Sequence, residues 1–370
     1  MSSIPTAFSA PDRILMGPGP SNCPPSVLTA MAQPTVGHLD PWFIERMNEV
    51  QDMLRAVMCT RNRLTLPISA TGSAGMETCL VNLLEPGDRC VVGVNGVFGQ
   101  RMSDIVERAG GELVRVEAPW GTTLDPAAVE AAVKAGPTKL VAVVHAETST
   151  GVLQPLEEIS RAAHNNGALL VVDAVTSLGG HPVLVDEWGI DACYSGTQKA
   201  LSVPPGLSPV SFSDRAVAAL QARKTKVQSW YLDLNMICSY WGEDRVYHHT
   251  APINMIYALH EGLRLILQEG LEARWARHQA NHERLKAGLA DLGMELLPKA
   301  DDSLWTLNAV KLPEGVDDLA ARKAMLTRFG LEIGGGLGEL KGSIWRVGLM
   351  GHNSTERNVA LFLAAAKAVI

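Results

Sequence analysis

The chain has 370 residues, of which 46% are hydrophobic and 19% charged, and its formal net charge is −7. This composition supplies ample apolar material for a buried core, and it is unlike that of a disordered chain. The acidic balance argues against a nucleic-acid partner held by a basic surface, and the length predicts one large domain and a smaller one.

The first predicted strand, Leu64–Ile68, leads into a segment of small and hydroxyl-bearing residues at 69–77. That segment opens a helix that contains residues 78–84. Because backbone N–H groups and the helix dipole favour negative charge at such a helix start, the segment is a candidate phosphate site. An ordinary Ser/Thr helix cap is the alternative for this segment taken alone.

Apolar, strand-like runs then alternate with segments of helical pattern. The runs lie at Arg89–Val94, 113–116, 139–144 and 169–172, and the helical segments lie at 99–109, 126–135 and 156–165. This alternation predicts βαβ units and a mainly parallel sheet. The chain has no GxxxxGK[ST] motif, so a P-loop is not supported.

Asp173 and Lys199, which lie further along the chain, suggest a cofactor. Asp173 ends an apolar run, which places it at the carboxyl end of a buried parallel strand, where open α/β sheets bind ligands. Lys199 follows it. A lysine can form a Schiff base with the aldehyde of pyridoxal 5′-phosphate, and a carboxylate can keep the pyridine nitrogen protonated. Together they indicate a pyridoxal 5′-phosphate enzyme.

The pattern changes after about residue 251. We predict one long helical stretch over 253–292, a strand over 304–312, a helix around 319–328, a glycine-rich loop at 334–338 near the active site, and a final helix. The predicted organisation is an N-terminal arm and active-site lid at 1–22, a large cofactor-binding domain at 23–260, and a small α+β domain at 261–370.

The remaining features concern compartment and metals. No apolar run approaches the roughly 18 residues that span a membrane, and the first 13 residues lack the apolar core of a secretory signal. The six cysteines show neither a CxxC pair nor zinc-ligand spacing. We therefore expect a cytoplasmic protein with reduced thiols and no metal site.

A set of ordered motifs resembles the class V, fold type I aminotransferases that depend on pyridoxal 5′-phosphate, and in particular the alanine–glyoxylate and serine–pyruvate aminotransferases. The motifs are GPGPSN at 17–22, EPGD at 85–88, HAETSTG at 145–151, VDAVTSLGG at 172–180, YSGTQK at 194–199, YHHT at 247–250 and WRVGL at 345–349. The resemblance covers nearly the whole chain. It implies an α/β fold with a large, mainly parallel seven-stranded sheet domain and a smaller C-terminal α+β domain.

The resemblance also implies roles for individual residues. Lys199 would be the Schiff-base lysine and the acid/base that moves a proton, and Asp173 would be the pyridinium partner. The cofactor phosphate would be held by Thr71, Gly72, Ser73 and Gln198. The remaining cofactor-binding residues would be Phe98 and Val175 on the two ring faces, Thr148 near the phenolic oxygen, and Tyr247 and Thr250 donated to the phosphate of a neighbouring subunit.

Phe98 stands where some relatives have tryptophan, and it can still stack, without the N–H donor. Arg346 is the candidate for binding the substrate α-carboxylate, because a guanidinium pairs with a carboxylate in a planar, bidentate way. On sequence alone, a structural ion pair is an equal alternative for it. Gly19, in the lid, and His38 are the other predicted substrate-binding residues.

The implied function is ping-pong transamination of alanine or serine with glyoxylate or pyruvate, by a homodimer with shared active sites. The partners would be small amino acids and 2-oxo acids. The alternatives are an (S)-ureidoglycine–glyoxylate aminotransferase, in which the pocket near His38 and Asn254 would recognise a ureido group, a cysteine desulfurase, and a non-catalytic cofactor-binding protein. A desulfurase needs a mobile C-terminal cysteine, and no cysteine follows Cys238.

Overall fold

The computed structural model describes residue 7 and residues 9–370, so residues 1–6 and 8 of the predicted arm lie outside the described part. The strands are β1 Ile14–Leu15, β2 Leu64–Ile68, β3 Arg89–Val94, β4 Glu112–Glu117, β5 Leu140–Val144, β6 Ala146–Glu147, β7 Val152–Leu153, β8 Leu169–Asp173, β9 Ala192–Tyr194, β10 Ser208–Phe212, β11 Leu307–Lys311, β12 Leu331–Glu332, β13 Gly334–Gly335 and β14 Ile344–Gly348.

The helices alternate with these strands through most of the chain. They are α1 Pro25–Met31, α2 Pro41–Val57, α3 Gly72–Leu83, α4 Val97–Arg108, α5 Pro126–Lys134, α6 Glu157–Asn165, α7 Asp214–Gln221, α8 Leu234–Trp241, α9 Ile253–Glu269, α10 Leu271–Asp291, α11 Asp318–Phe329 and α12 Glu356–Lys367. None of the helices in the described residues is both long enough and apolar enough to cross a membrane.

A seven-stranded sheet forms the centre of the fold, in the order β2-β10-β9-β8-β5-β3-β4. Strand β10 runs antiparallel to both of its neighbours, and the other pairs are parallel. Every residue of β5 and β8 is buried, as expected for strands covered by helices on both faces. The predicted α/β fold and mainly parallel sheet are therefore confirmed, and the carboxyl ends of β2, β8 and β9 share one edge.

The C-terminal region builds a separate antiparallel sheet in the order β11-β14-β13. One apolar cluster extends from Val27 to Ile266, and a second unites Met16 with residues from Leu285 to Ala366. Strand β1 pairs with β12, so the residues just before the predicted lid join the C-terminal region. The domain boundaries at 22 and 260 stay a prediction.

The single helix predicted over 253–292 is wrong, because Gly270 divides it into α9 and α10. Gly270 has φ +85°, a left-handed conformation that ends a helix and that L side chains rarely adopt. Its N–H still bonds to the Ile266 oxygen at 3.0 Å. The turn redirects the chain so that α10 packs against α12 of the C-terminal region.

Candidate active site

Asp173 lies at the carboxyl end of β8, where the sequence predicted a ligand-binding acid. It pairs in register with Tyr194 at the end of β9 and is 2% exposed. Its Oδ2 accepts a hydrogen bond from the Tyr194 hydroxyl at 2.7 Å, and its Oδ1 accepts one from the Val175 N–H at 2.8 Å. Burial raises the pKa of Asp173 to about 6, although both hydrogen bonds oppose that shift.

Lys199 follows β9 in a tight turn and lies close enough to Asp173 for their charges to interact. The amine is buried and donates to the backbone oxygen of Pro18. Burial and, after it, the charge of Arg346 lower the pKa of Lys199 to about 8. An amine with this lowered pKa is better able to act as a nucleophile and base near neutral pH.

The predicted phosphate segment forms the start of α3. Thr71 is the residue before the helix, and its side chain makes no capping hydrogen bond, so the ordinary-cap alternative is not supported by the geometry. Gly72 packs closely below Val175, whose Cγ2 would lie 3.1 Å from a Cβ at position 72. The Ser73 hydroxyl accepts a hydrogen bond from Arg101 Nη1 at 3.0 Å. The helix start therefore presents N–H groups beside a cation.

Phe98 lies in the first turn of α4, on the same helix as Arg101. The Arg101 guanidinium carbon lies 4.9 Å from the centre of the Phe98 ring, a cation–π contact. Arg101 thus joins the predicted stacking ring to the predicted phosphate residue Ser73. Sequence reasoning assigned no role to Arg101.

The N-terminal arm packs directly against the lysine segment. Ser21 donates its N–H to the Gln198 oxygen at 2.8 Å and its hydroxyl to the Lys199 oxygen at 2.7 Å. Gly19 has φ +108°, and a Cβ there would lie 2.6 Å from Lys199 Cδ. Only glycine fits this approach, so the arm covers the lysine side chain.

Arg346 lies on β14 and reaches across to the turn that follows β6. Its Nε donates to the Gly335 oxygen at 2.7 Å and its Nη1 to the Thr148 oxygen at 3.4 Å. Within residues 9–370, no carboxylate oxygen lies within 4.0 Å of this guanidinium, which is 7% exposed. Burial lowers its pKa to about 10. A structural ion pair is therefore not observed, and the buried cation is available to an anion.

The glycine-rich segment 334–338 lies beside the active site, as predicted, but it is not entirely a loop. Gly334–Gly335 forms β13, which pairs with Arg346 and Trp345 on β14. A Cβ added at Gly334 would lie 2.5 Å from Pro18 Cδ. The small residues therefore let the arm and the arginine strand approach each other.

Thr148 and Val175 also lie in this region. The Thr148 hydroxyl bonds to the Thr176 hydroxyl, and both threonines are fully buried. A Cβ added at Gly72 or at Gly196 would lie 3.1 or 3.5 Å from a Val175 methyl carbon, so Val175 lies between the phosphate segment and the lysine segment. Thr148 and Val175 therefore line the same cleft as Lys199, and their cofactor contacts stay a prediction.

Tyr247, Thr250 and His38 form a separate surface group. Tyr247 is 57% exposed, and its hydroxyl lies 3.5 Å from Thr250 Oγ1. The His38 ring lies 5.1 Å from the Tyr247 ring. None of the hydrogen bonds or ring contacts of these three residues in the described part of the chain reaches Lys199 or Arg346. The structure thus does not bring them to the site of their own chain.

Sequence reasoning missed Tyr194, Arg101 and Glu147. Tyr194 had a usable signal, because it ends an apolar run beside a strand that ends in an acid. Glu147 lies three residues beyond the end of β5, at the end of β6, and is fully buried. The motif HAETSTG contained it, but neither its burial nor its contacts with α4 are visible in sequence.

The cleft fits pyridoxal 5′-phosphate on three observations. The side-chain oxygen of Gln198 is buried without a hydrogen-bond partner in the described part of the chain, so this amide lacks a polar contact. A Cβ on Gly196 would lie 2.9 Å from that oxygen, so a larger residue would fill the cradle. Lys199 provides an amine for the cofactor aldehyde, and Asp173 provides a carboxylate for the ring nitrogen; the charges of the two side chains interact within one site.

Comparisons with known proteins agree with this geometry. The aminotransferase class-V family model matches residues 14–337. The chain is 40% identical to an (S)-ureidoglycine–glyoxylate transaminase of Bacillus subtilis over 97% of this chain and 91% of that protein. It is 42% identical to an alanine–glyoxylate aminotransferase of Callithrix jacchus, over 97% and 87% of the two chains.

A solved structure gives the same result. The crystal structure of an alanine–glyoxylate aminotransferase from Nostoc sp. superposes with a TM-score of 0.98 at 48% identity. The match covers 99% of this chain and 97% of the other. The similarity therefore includes the large sheet, the C-terminal sheet and the cleft between them.

Proposed function

The chain belongs to the class-V aminotransferase family, and from this membership we propose that it transfers the amino group of alanine or serine to glyoxylate or pyruvate. It is a pyridoxal 5′-phosphate-dependent enzyme. The observation that carries the substrate proposal is Arg346, a buried guanidinium with no carboxylate within 4.0 Å in residues 9–370. A small monocarboxylate donor would supply the missing anion.

The cofactor supplies an aldehyde for covalent attachment and a ring that accepts electrons from the donor Cα. In the proposed mechanism Lys199 would hold that aldehyde through its amine and, when its amine is free, would move a proton between the donor Cα and the cofactor carbon C4′. Asp173 holds a proton at the ring nitrogen through its buried carboxylate. Its hydrogen bonds from Tyr194 and Val175 fix the carboxylate orientation.

The other proposed contacts position the reactants. Thr71, Gly72 and Ser73, at the start of α3, and Gln198 hold the phosphate, because a helix start binds anions. Phe98 and Val175 pack on the two ring faces, and Thr148 lies near the phenolic oxygen. Gly19 and the rest of the arm cover Lys199 and exclude water.

The donor proposal depends on the number of cations available for substrate. Arg346 is one, and Arg101 is occupied by Ser73 and Phe98 on the phosphate side. A dicarboxylate donor needs a second free cation near its side chain. The single available cation, Arg346, therefore favours alanine and serine over aspartate and glutamate as amino donors.

The Bacillus subtilis relative makes (S)-ureidoglycine the second candidate donor. Asn254 is the residue that the sequence offered for a ureido group. In this structure its Nδ2 donates to the Met31 and Gln33 oxygens at 2.9 and 2.7 Å, and its Oδ1 accepts from Thr35 at 2.5 Å. Because the amide is fully engaged within its own chain, the geometry favours alanine or serine.

The desulfurase alternative finds no support in the cysteines. Cys238 is the last cysteine of the chain. It lies on α8, and burial raises the pKa of its thiol to about 12. A thiol that stays protonated at neutral pH is a poor nucleophile for persulfide chemistry.

We also propose a homodimer in which Tyr247 and Thr250 complete the phosphate site of the partner subunit. Tyr247 and Thr250 support this proposal because both are exposed and neither has a contact with Lys199 of its own chain. The exposed rings of Trp230 and Tyr231 lie against the neighbouring His248. His38, beside Tyr247, would then act at the partner's substrate entrance. All six cysteines are free thiols, which supports a reducing, cytoplasmic compartment.

The test is a steady-state survey of amino donors with glyoxylate as acceptor. We expect alanine or serine to have the highest kcat/KM, aspartate to be at least about 100-fold poorer, and double-reciprocal plots to be parallel. A kcat/KM for (S)-ureidoglycine above that of both alanine and serine would contradict the proposal and support the second candidate.

A further inference from the structure

Glu147 is a completely buried carboxylate beside the cleft. Its Oε1 accepts hydrogen bonds from the Ser149 N–H at 3.0 Å and the Ser149 hydroxyl at 2.5 Å. Its Oε2 accepts one from the Phe98 N–H at 3.2 Å. Burial raises the pKa of Glu147, but all of its hydrogen-bond partners are donors, which oppose that shift by favouring the ionised form.

These contacts place the carboxylate at the N-terminus of α4. The Val97 N–H bonds to Ser149 Oγ at 3.0 Å, so Ser149 connects a second free N–H of the helix to Glu147. Gly96, just before the helix, must lack a side chain, since its Cβ would lie 2.4 Å from Glu147 Cδ. The helix dipole favours negative charge at this end. Glu147 thus fixes the turn that carries Phe98 and, one turn later, Arg101.

The same carboxylate acts on the two cations of the cleft. Its negative charge raises the pKa of Arg346 and of Lys199, in opposition to burial. The other charged groups that face Lys199 are Asp173, Arg101 and Arg346. No Lys, Arg or His nitrogen lies within 4.0 Å of Glu147 in the described residues, so it acts on these cations without a direct ion pair.

We propose that Glu147 is a positioning residue for this reaction, which holds Phe98 against the cofactor ring and supplies the negative charge that balances Lys199 and Arg346. This inference rests on the proposed function, because it concerns the same cleft. It assigns two separable tasks to one carboxylate: its hydrogen bonds order the start of α4, and its charge adds to the balance of charge around the lysine nitrogen.

The test separates geometry from charge by comparing Glu147→Gln with Glu147→Asp. The first readout is the pH dependence of the visible absorbance of the enzyme with bound cofactor, measured without substrate. Loss of the negative charge disfavours the protonated lysine nitrogen, so Glu147→Gln should lower the titration midpoint by about one pH unit. Glu147→Asp keeps the charge and should leave the midpoint near that of the wild type.

The second readout is the dissociation constant of the cofactor. The cofactor is first removed and then added back to the protein, and protein fluorescence reports its binding. A shorter carboxylate cannot reach the Phe98 N–H, so Glu147→Asp should weaken cofactor binding by about tenfold. Ser149→Ala removes one donor and the link to Val97 while leaving the carboxylate, and it should weaken binding in the same direction. It provides a milder variant if the Glu147 variants fold poorly. Glu117→Gln, at an exposed glutamate that ends β4, is the matched control and should change neither quantity.

An unchanged midpoint in Glu147→Gln would overturn the charge assignment, and so would an equal shift in Glu147→Gln and Glu147→Asp. Wild-type cofactor affinity in both Glu147→Asp and Ser149→Ala would overturn the geometric one. Because neither readout requires a donor, these outcomes do not depend on the substrate proposal. A wild-type protein without a visible cofactor band would instead refute the proposed function itself.

Discussion

The Tyr194 hydroxyl donates a 2.7 Å hydrogen bond to Asp173 Oδ2, at the point where β8 and β9 end side by side. The bond is buried on all sides, since Asp173 is 2% exposed and Tyr194 is fully buried. It therefore favours the ionised carboxylate in a place where burial favours the neutral acid. The Tyr194 hydroxyl thus helps to keep the negative charge that the proposed ring-nitrogen contact requires.

Tyr194→Phe should move the acid limb of kcat/KM toward higher pH. Burial raises the pKa of Asp173 to about 6 and the hydrogen bond opposes this, so its loss raises the pKa further. A hydrogen bond to a charged group is worth roughly 1.5 kcal/mol, which corresponds to about one pH unit. The pH–rate profile measures the shift. Tyr257→Phe, whose hydroxyl lies 3.5 Å from the Pro34 backbone oxygen and has no hydrogen bond to Asp173, is the control. An acid limb that stays in place in Tyr194→Phe would refute the role.

Lys199→Ala should reduce turnover by about 10³-fold or more, because it removes both the covalent attachment and the proton carrier. The visible absorbance of the bound cofactor should disappear as well. The exposed Lys226→Ala is the matched control and should retain full activity. Substantial activity in Lys199→Ala would transfer the catalytic role to another group.

Arg346→Lys should raise the KM for the donor and lower kcat/KM by roughly 10- to 100-fold, because an ammonium cannot make the planar, bidentate pair with a carboxylate. The absorbance of the bound cofactor should persist, since Arg346 makes no proposed contact with the phosphate. Steady-state kinetics with alanine measure the effect, and the exposed Arg328→Lys is the control. A normal KM would show that another residue binds the donor carboxylate.

Gly19→Ala should lower activity at least about tenfold by pushing the arm off Lys199. A Cβ at position 19 would lie 2.6 Å from Lys199 Cδ, and φ is +108°. Gly315→Ala is the matched control, because φ is +86° there but no atom lies within 4 Å of the new Cβ. Both variants should lose about 1 kcal/mol of unfolding free energy through backbone strain, whereas only Gly19→Ala should lose activity. Equal activities would remove the proposed role of the arm.

Glu269→Gln should destabilise the protein at neutral pH but not at very low pH. Burial raises the pKa of Glu269, but hydrogen bonds and charges of Arg277 and Arg274 outweigh it and lower the pKa to about 2. Because the folded-state pKa is depressed, the stabilisation is present above the unfolded-state value and disappears as pH falls toward 2. After allowance for solvent at this part-exposed site, we expect a loss of about 1–2 kcal/mol at pH 7.

Urea unfolding at several pH values measures this difference. Glu283→Gln, which breaks an exposed pair with Lys286, should change stability by less than about 0.5 kcal/mol at every pH. A loss for Glu269→Gln that did not depend on pH would contradict the electrostatic explanation and indicate a packing effect.

The apolar pattern of the sequence was sufficient for five of the seven strands of the large sheet and for Asp173, but not for β9 and β10. Buried parallel strands are nearly continuous apolar runs, so β3, β5 and β8 were visible, and Asp173 stood out as the acid that ends one of them. Lys199 was identified from its position after Asp173 together with the YSGTQK motif that resembles the family. The break at Gly270 was harder to predict, because a lone glycine inside a helical pattern is often tolerated.

The electrostatic surroundings of the site could not be predicted in the same way. Glu147, Arg101 and Tyr194 act through contacts between segments that are distant in sequence, such as the 3.0 Å bond from Arg101 to Ser73. Local propensity contains no information about such pairs. The choice between an ion pair and a ligand site at Arg346 likewise depended on which carboxylates the fold brings near it.

The most direct test of the central proposal is an absorbance spectrum of the purified protein with cofactor, recorded while alanine is added and then glyoxylate. If Lys199 holds the cofactor and the protein transfers amino groups from alanine, the visible band should decrease with alanine and return with glyoxylate. Serine should act in the same way and aspartate should not. A band that responds to none of these donors would contradict the proposed reaction.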